Sequence, residues 1–183
     1  MRRPAWSMPT RRERPRRSSM SYLTEPLPTS TAHRVAMSAA AAVFVVDQLT
    51  KNWARESFAG GYTEILGDWL RLTYTRNPGA AFSSFTDSGQ IIAIVGIGVV
   101  GLLLYVLGRS SRRVEVFALG LILGGALGNL GDRVFRGDGF LDGAVVDWID
   151  WWFIPTFNVA DMALNIGVAL MLVTLVLAGA PDD

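Results

Sequence analysis

The chain has 183 residues, half of them hydrophobic, and a formal net charge of +1. This length fits a single domain, and so small a charge gives no reason to expect a nucleic-acid partner. It contains no cysteine and one histidine, His33. Disulfides, thiolate metal sites and thiol nucleophiles are therefore excluded, and a Ser-His or Cys-His catalytic pair has no histidine in the apolar part of the chain. We expect neither a metal ion nor another cofactor.

The first 33 residues differ sharply in composition from the rest. They are rich in Arg, Pro, Ser and Thr, and seven arginines fall within the first 17 residues. Such a composition predicts a disordered, solvated tail over residues 1–33. The apolar stretch that follows is too long for the core of a cleaved signal peptide, so it indicates an uncleaved anchor that begins a membrane domain over residues 34–180.

Four long apolar segments follow the tail in chain order. The first covers residues 35–46 and continues as a helix to about residue 58, and the others cover residues 91–107, 114–130 and 159–178. Each is close to the roughly 20 residues that a helix needs to cross a bilayer core. The predicted fold is an all-α integral membrane protein with four transmembrane helices.

Basic residues predict the orientation of these helices. The arginine-rich tail precedes the first helix, and the turn between the second and third carries Arg109, Arg112 and Arg113. Since cytoplasmic loops carry the excess of Lys and Arg, both termini are expected in the cytoplasm. The connections 52–90 and 131–158 then lie outside.

These two connections have patterns of their own. Residues 69–75 alternate apolar and polar side chains, which is the period of a half-buried strand, so we expect a small β-sheet on the outer surface. The aromatic cluster Trp148, Trp151, Trp152 and Phe153 suits the membrane interface. In the third helix, Gly120, Gly124 and Gly128 recur every four residues, which favours close packing against another helix.

Ionisable side chains within membrane helices cost roughly 2.5–3.5 kcal/mol each and therefore need a reason. Asp47, Asp132 and Asp161 belong to three different helices, yet the predicted orientation brings all three to a similar depth in the outer leaflet. Two carboxylates that share a site hold one proton between them, as an aspartic protease requires. Structural alternatives remain for each residue: Asp47 can pair with Lys51 one turn later, Asp132 and Arg133 can be boundary charges, and Asn158 can cap the helix that carries Asp161.

Another class of protein also places acids in membrane helices. Transporters and proton pathways relay ions through such residues, although they usually have internal repeats and broken helices, and neither is visible here. A transporter therefore stays as the alternative function.

Four sequence blocks resemble those of the lipoprotein signal peptidase (signal peptidase II) family, and together they span about residues 34–177. They are D-Q-L-T-K at 47–51, N-P-G-A-A-F at 77–82, G-N-L-G-D-R at 128–133 and F-N-V-A-D at 157–161, and V-V-D at 145–147 resembles a fifth. The resemblance implies an aspartic endopeptidase of the bacterial cytoplasmic membrane. Such an enzyme removes the signal peptide from prolipoproteins by cutting before a Cys that carries a diacylglyceryl group. Prolipoproteins and membrane lipid are then the expected partners.

The resemblance also implies roles for individual residues. Asp132 and Asp161 are predicted to be the catalytic pair, and Asp147 is predicted to be structural. Substrate-binding or supporting roles are predicted for a larger set: Asp47, Lys51, Asn77, Gly79, Ala80, Ala81, Phe82, Asn129, Arg133 and Asn158. The glycine-rich insert at 136–143 matches none of these blocks.

Overall fold

The computed structural model describes residues 26–79 and 88–178. Its four helices are α1 (Thr29–Phe58), α2 (Ser88–Leu107), α3 (Arg113–Phe135) and α4 (Val159–Ala178). All four are long and apolar enough to cross a membrane. The predicted fold of four transmembrane helices with a small sheet is confirmed.

Two helix boundaries differ from the prediction because the ends of these helices are polar. Helix α1 begins at Thr29 directly after Pro28, so residues 29–33 of the predicted tail are helical, and residues 1–25 lie outside the described part of the chain. Helix α3 continues to Phe135, five residues past the predicted end, and thereby carries Asp132 and Arg133 on its last turns. Hydropathy cannot detect either extension, since both leave the apolar segment.

Glycines allow α3 to pack against α1 with almost no space between the backbones. A Cβ atom on Gly120 would lie 2.6 Å from the carbonyl oxygen of Ala36, and one on Gly124 would lie 2.7 Å from that of Ala40. Real Cβ atoms do not approach a neighbour this closely, so a side chain at either position would push α1 away. The prediction that the glycine stripe serves helix packing is confirmed.

The sheet has four antiparallel strands in the order β1-β2-β3-β4. They are β1 (Thr63–Glu64), β2 (Leu70–Asn77), β3 (Val145–Trp151) and β4 (Ile154–Phe157), and β2 confirms the strand predicted at 69–75. Asn77 pairs with Val145 and Thr75 with Asp147 across the β2–β3 ladder. Strand β3 thus holds Asp147 beside the ends of α3 and α4, and β4 leads directly into α4.

Most of the predicted aromatic cluster lies at the β3–β4 turn. Trp151, Trp152 and Phe153 are exposed there, and the ring of Trp152 contacts that of Trp69 at 4.9 Å. Trp148 does not belong to this cluster, because the strand alternation turns it toward α1, where it contacts Trp53 at 5.5 Å.

Candidate active site

Polar side chains are buried together where α1, α3 and α4 meet β3, at the sheet end of the helices. Six of them are nearly inaccessible to solvent: Asp47, Lys51, Asp132, Arg133, Asp147 and Asn158. Buried charges are stable only when they are paired and hydrogen-bonded, so the partners of each one indicate what it can do.

Lys51 lies at the centre of a buried ion cluster. Its Nζ atom is 2.8 Å from Asp47 Oδ2 and 2.8 Å from Asp132 Oδ2, and all three side chains are fully buried. It also donates to Asn129 Oδ1 at 2.9 Å. The structure thus contains the predicted Asp47–Lys51 ion pair, but the lysine joins it to Asp132 on α3 as well.

The carboxylate of Asp132 is surrounded by donors on both oxygens. Besides Lys51, its Oδ2 accepts from the backbone N–H of Val146 at 3.0 Å. Its Oδ1 accepts from Arg136 Nε at 2.7 Å and from Gln48 Nε2 at 3.1 Å. Both oxygens of this buried carboxylate are therefore occupied by donors, two of which are cationic side chains. Sequence reasoning missed Arg136, although its position four residues after Asp132 on one helix face was a usable signal.

Asp47 connects α1 to the first turn of α4. Its Oδ1 accepts from the backbone N–H of Ala160 at 2.9 Å. A Cβ atom on Gly128 would lie 2.6 Å from Asp47 Oδ2, so the glycine provides the space for this carboxylate. Asp47 therefore holds three helices in register at the site.

Asp147 and Asp161 have surroundings of another kind, made of amides. Asp147 accepts from Asn158 Nδ2 at 2.7 Å through Oδ1 and from Asn77 Nδ2 at 3.0 Å through Oδ2. Asp161 accepts from Asn129 Nδ2 at 2.8 Å through Oδ1 and from the backbone N–H of Asn158 at 3.2 Å through Oδ2. Within the described residues, neither carboxylate forms an ion pair.

Two asparagines connect these aspartates. Asn158 Nδ2 donates to Asp147 Oδ1 and, at 3.2 Å, to Asn129 Oδ1. Asn129 Nδ2 in turn donates to Asp161 Oδ1. Asn158 Oδ1 also accepts from the backbone N–H of Asp161 at 3.0 Å, so the predicted helix cap is present too. Capping and site formation are therefore performed by one side chain.

Electrostatics distinguish Asp147 from an ordinary surface carboxylate. Its side chain is 3% exposed, and burial raises its pKa to about 6 despite the hydrogen bonds from Asn77 and Asn158. The negative charge of Asp161 contributes to this rise in pKa, which is the effect expected when two carboxylates share a site.

The N-P-G-A-A-F block lies only partly within the described residues. Asn77 ends β2, and its Oδ1 accepts from the backbone N–H of Gly79 at 2.9 Å. Gly79 has φ of +115°, a conformation that L side chains rarely adopt. Ala80, Ala81 and Phe82 fall outside the described residues.

Arg133 lies close by but serves the loops around the site. Its Nη1 donates to Gly143 O at 3.4 Å and to Pro78 O at 3.5 Å. Gly143 N in turn donates to Arg133 O at 3.1 Å, which ties the end of the 136–143 insert to α3. Arg133 thus links the two loops that border Asp147.

This geometry separates the residues that were predicted to form the catalytic pair. Asp161 lies with Asp147 in the amide-lined part, whereas Asp132 is enclosed in the ion cluster with Lys51 and Arg136. The prediction of Asp132 as the partner of Asp161, with Asp147 as structural support, stays a prediction, and these contacts favour Asp147 as the partner instead. The physical reason lies in the partners: Asp132 pairs with Lys51 and Arg136, whereas Asp147 and Asp161 are linked to each other through the neutral amides of Asn129 and Asn158.

No cluster of three or more His, Cys, Asp or Glu side chains with metal-binding geometry occurs in residues 26–79 and 88–178. The aspartates near the site are instead engaged by lysine, arginine and asparagine.

Comparisons with known proteins identify the family. A sequence model described as signal peptidase (SPase) II matches residues 39–177. A lipoprotein signal peptidase of Rhodococcus jostii is 43% identical over 148 residues, covering 79% of this chain and 73% of that protein. One of Caldicellulosiruptor bescii is 38% identical over 139 residues, covering 76% of this chain and 89% of that protein.

A solved structure is similar as well. A bacterial membrane enzyme determined by the in meso method at 1.9 Å resolution superimposes with a TM-score of 0.69 at 30% identity. The match covers 83% of this chain and 96% of that one. Sequence and fold therefore agree: this chain belongs to the signal peptidase II family.

Proposed function

We propose that the protein removes the signal peptide from bacterial prolipoproteins, cutting before a Cys that carries a diacylglyceryl group, and that Asp147 and Asp161 perform the reaction. Membership of the signal peptidase II family supports the reaction class, and the relatives named above are lipoprotein signal peptidases. The observation that carries the choice of residues is the amide bridge through Asn129 and Asn158, which joins two carboxylates that form no ion pair in the described part of the chain.

Hydrolysis by two carboxylates requires them in different protonation states. The ionised one takes a proton from water as the water attacks the scissile carbonyl, and the protonated one donates to the carbonyl oxygen. Burial favours the neutral form of Asp147, whose pKa of about 6 lies closer to neutrality than that of an ordinary aspartate. Asp147 is therefore suited to hold the shared proton, and the partly exposed Asp161 to act as the base.

The amides around the pair have a definite task in this mechanism. Asn77, Asn129 and Asn158 donate to carboxylate oxygens and fix their orientation without adding charge. An Arg or Lys in the same positions would hold both carboxylates ionised and prevent proton sharing. Neutral donors orient the pair while leaving its proton free to move.

Asp132 then has a supporting role. With Lys51 and Asp47 it connects α1 to α3, and its Oδ2 holds the backbone N–H of Val146, the residue before Asp147. The ion cluster thus sets the position of the strand that carries the proposed acid. The contacts of Arg133 with Pro78 and Gly143 support the loops on either side.

The location of the site suits a substrate that arrives through the bilayer. We propose that the protein lies in the bacterial cytoplasmic membrane with both termini in the cytoplasm, as the arginines at 109, 112 and 113 indicate. The sheet end of the helices, with Asp147 and Asp161, then faces the outer leaflet. A signal helix and a diacylglyceryl group could both reach it laterally, which makes lipid-modified prolipoproteins the natural substrate.

Purified protein in detergent tests the proposed reaction. Wild type should convert a diacylglyceryl-modified prolipoprotein to a product whose first residue is the lipidated Cys, as mass spectrometry would detect. Asp161→Asn should bind the substrate but not cleave it. Equal cleavage of the unmodified precursor, or none of the modified one, would contradict the proposal, and ion flux through reconstituted protein would then test the transporter alternative.

A further inference from the structure

A second recess lies on the α1–α3 side of the molecule, apart from Asp147 and Asp161. Its polar part, about 460 Å³, is lined by residues of α1, β2 and the end of α3: Gln48, Asn52, Arg55, Tyr74, Arg76, Phe135, Arg136 and Asp138. Three arginines face this cavity against a single aspartate. The cavity is therefore suited to an anionic group.

An apolar groove of about 410 Å³ adjoins this cavity along the same two helices. From α1 it is lined by Met37, Ala40, Ala41 and Phe44, and from α3 by Leu127, Leu130, Gly131, Val134 and Phe135. Phe135 lines both recesses, so they are neighbours on this face of the molecule. We refer to the two adjoining recesses together as the depression; one part of it is apolar and the other is cationic.

Helical spacing explains why the two parts are aligned. On α1, residues 37, 41, 44, 48, 52 and 55 recur at intervals of three or four and so share one face. On this face, residues 37, 41 and 44 are apolar and span about 10 Å of helix, and residues 48, 52 and 55 are polar and span about another 10 Å. A ligand that fits this face must be apolar at one end and charged at the other.

The guanidinium groups differ in their freedom to bind such a ligand. Arg136 already pairs with Asp132 and donates to Gln48 and Asn52. Arg76 donates one bond, to the backbone oxygen of Arg136, and is otherwise exposed. The exposed Arg55 has no hydrogen bond or ion pair with any residue of the described ranges. Arg55 and Arg76 are therefore the groups with capacity for a phosphate.

We propose that this depression binds one anionic phospholipid, with an acyl chain in the groove between α1 and α3 and the phosphate between Arg55 and Arg76. Charge complementarity selects an anionic headgroup, and the adjoining apolar groove selects a lipid over a free anion. The proposal does not depend on the proteolytic activity, since none of its ligating groups belongs to the proposed catalytic pair. It does place the lipid beside Arg136, one contact away from Asp132.

Native mass spectrometry of the full chain, released from detergent, measures this binding. Wild type should retain phosphatidylglycerol in preference to phosphatidylcholine with the same acyl chains. Arg55→Gln/Arg76→Gln should weaken that retention about 25-fold, because each Lys or Arg near an anionic headgroup contributes about a factor of five. Arg55→Gln alone should give roughly half of this effect on a logarithmic scale, and it removes no contact within the described residues.

Matched controls separate the site from general charge attraction. Arg112→Gln/Arg113→Gln removes the same charge at the opposite end of α3 and should leave retention unchanged. Ala41→Phe fills the groove without touching the arginines, and it should reduce phosphatidylglycerol retention as well. Equal losses in the two double variants would overturn the proposal. The proposal would also be overturned if millimolar inorganic phosphate displaced the lipid and Ala41→Phe left lipid retention unchanged. Those two results together would indicate a pocket that binds anions without an acyl chain.

Discussion

Replacing Lys51 by Met should destabilise the protein more than the loss of any surface charge. The substitution keeps a long apolar side chain but removes the ammonium that lies 2.8 Å from both Asp47 and Asp132 in a fully buried cluster. Removing one partner of a buried ion pair costs about 3–5 kcal/mol, because the remaining charge is left uncompensated. Here two carboxylates lose their shared cation, so we expect at least this loss. For a chain of this size it corresponds to a fall in Tm of about 6–20 °C.

Thermal unfolding in detergent, followed by tryptophan fluorescence, measures this loss. Arg71→Met is the matched control, since it also breaks a 2.9 Å ion pair, with Asp150, whose side chains are 33% and 25% exposed. Such a pair contributes at most about 1 kcal/mol. Adding Asp47→Asn to Lys51→Met should restore part of the stability by removing one unpaired charge. If Lys51→Met lowered Tm no more than the control, the ion cluster would not stabilise the helix junction as we describe.

Three further outcomes follow from the structure. Gly124→Ala should destabilise the protein by about 1–3 kcal/mol, because the new Cβ would lie 2.7 Å from the Ala40 oxygen. Gly101→Ala is the control and should not destabilise it, since nothing lies within 4 Å of the new Cβ. Equal Tm values for the two variants would contradict the close packing of α3 against α1. The pKa of Asp147 is raised to about 6, so its neutral form stabilises the fold below about pH 4, and this contribution is lost as pH rises through 6. The free energy of unfolding of wild type should therefore fall by up to about 3 kcal/mol between pH 4 and pH 7 relative to Asp147→Asn, which cannot titrate at this position. If the free energies of unfolding of the two proteins changed in parallel with pH, the raised pKa of Asp147 would be refuted. Finally, EDTA should leave cleavage unchanged, and a loss that a divalent ion restores would contradict a mechanism based on carboxylates alone.

The sequence predicted the helices well because hydropathy reports burial in lipid directly. It located α4 at residues 159–178 and the β2 strand within two residues. It failed where helices leave the apolar layer, at Thr29 and Phe135, because polar residues continue a helix as readily as they end it. Alternation within residues 69–75 gave the strand, but its partner β3 was not predicted, since strand pairing is decided by tertiary contacts.

The candidate site shows the same limit more clearly. The sequence predicted that Asp47, Asp132 and Asp161 lie at a similar depth in the outer leaflet. The structure places all three residues in one polar region at the sheet end of the helices. Which carboxylates share a proton depends on the cations near each one, and for Asp132 these are Lys51 of α1 and Arg136 at the end of its own helix. Spacing along α3 indicates Arg136, but it cannot reveal that Lys51 of α1 also reaches Asp132.

The measurement that tests the central claim most directly compares three aspartate-to-asparagine variants in single-turnover cleavage of a lipid-modified prolipoprotein. We expect Asp147→Asn and Asp161→Asn to stay folded and to lose cleavage by about a thousand-fold or more, in keeping with the loss of an acid or base in the reaction. Asp132→Asn should mainly lower Tm, and its folded fraction should still cleave. The account would be contradicted if Asp147→Asn cleaved at close to the wild-type rate while folded Asp132→Asn was inactive.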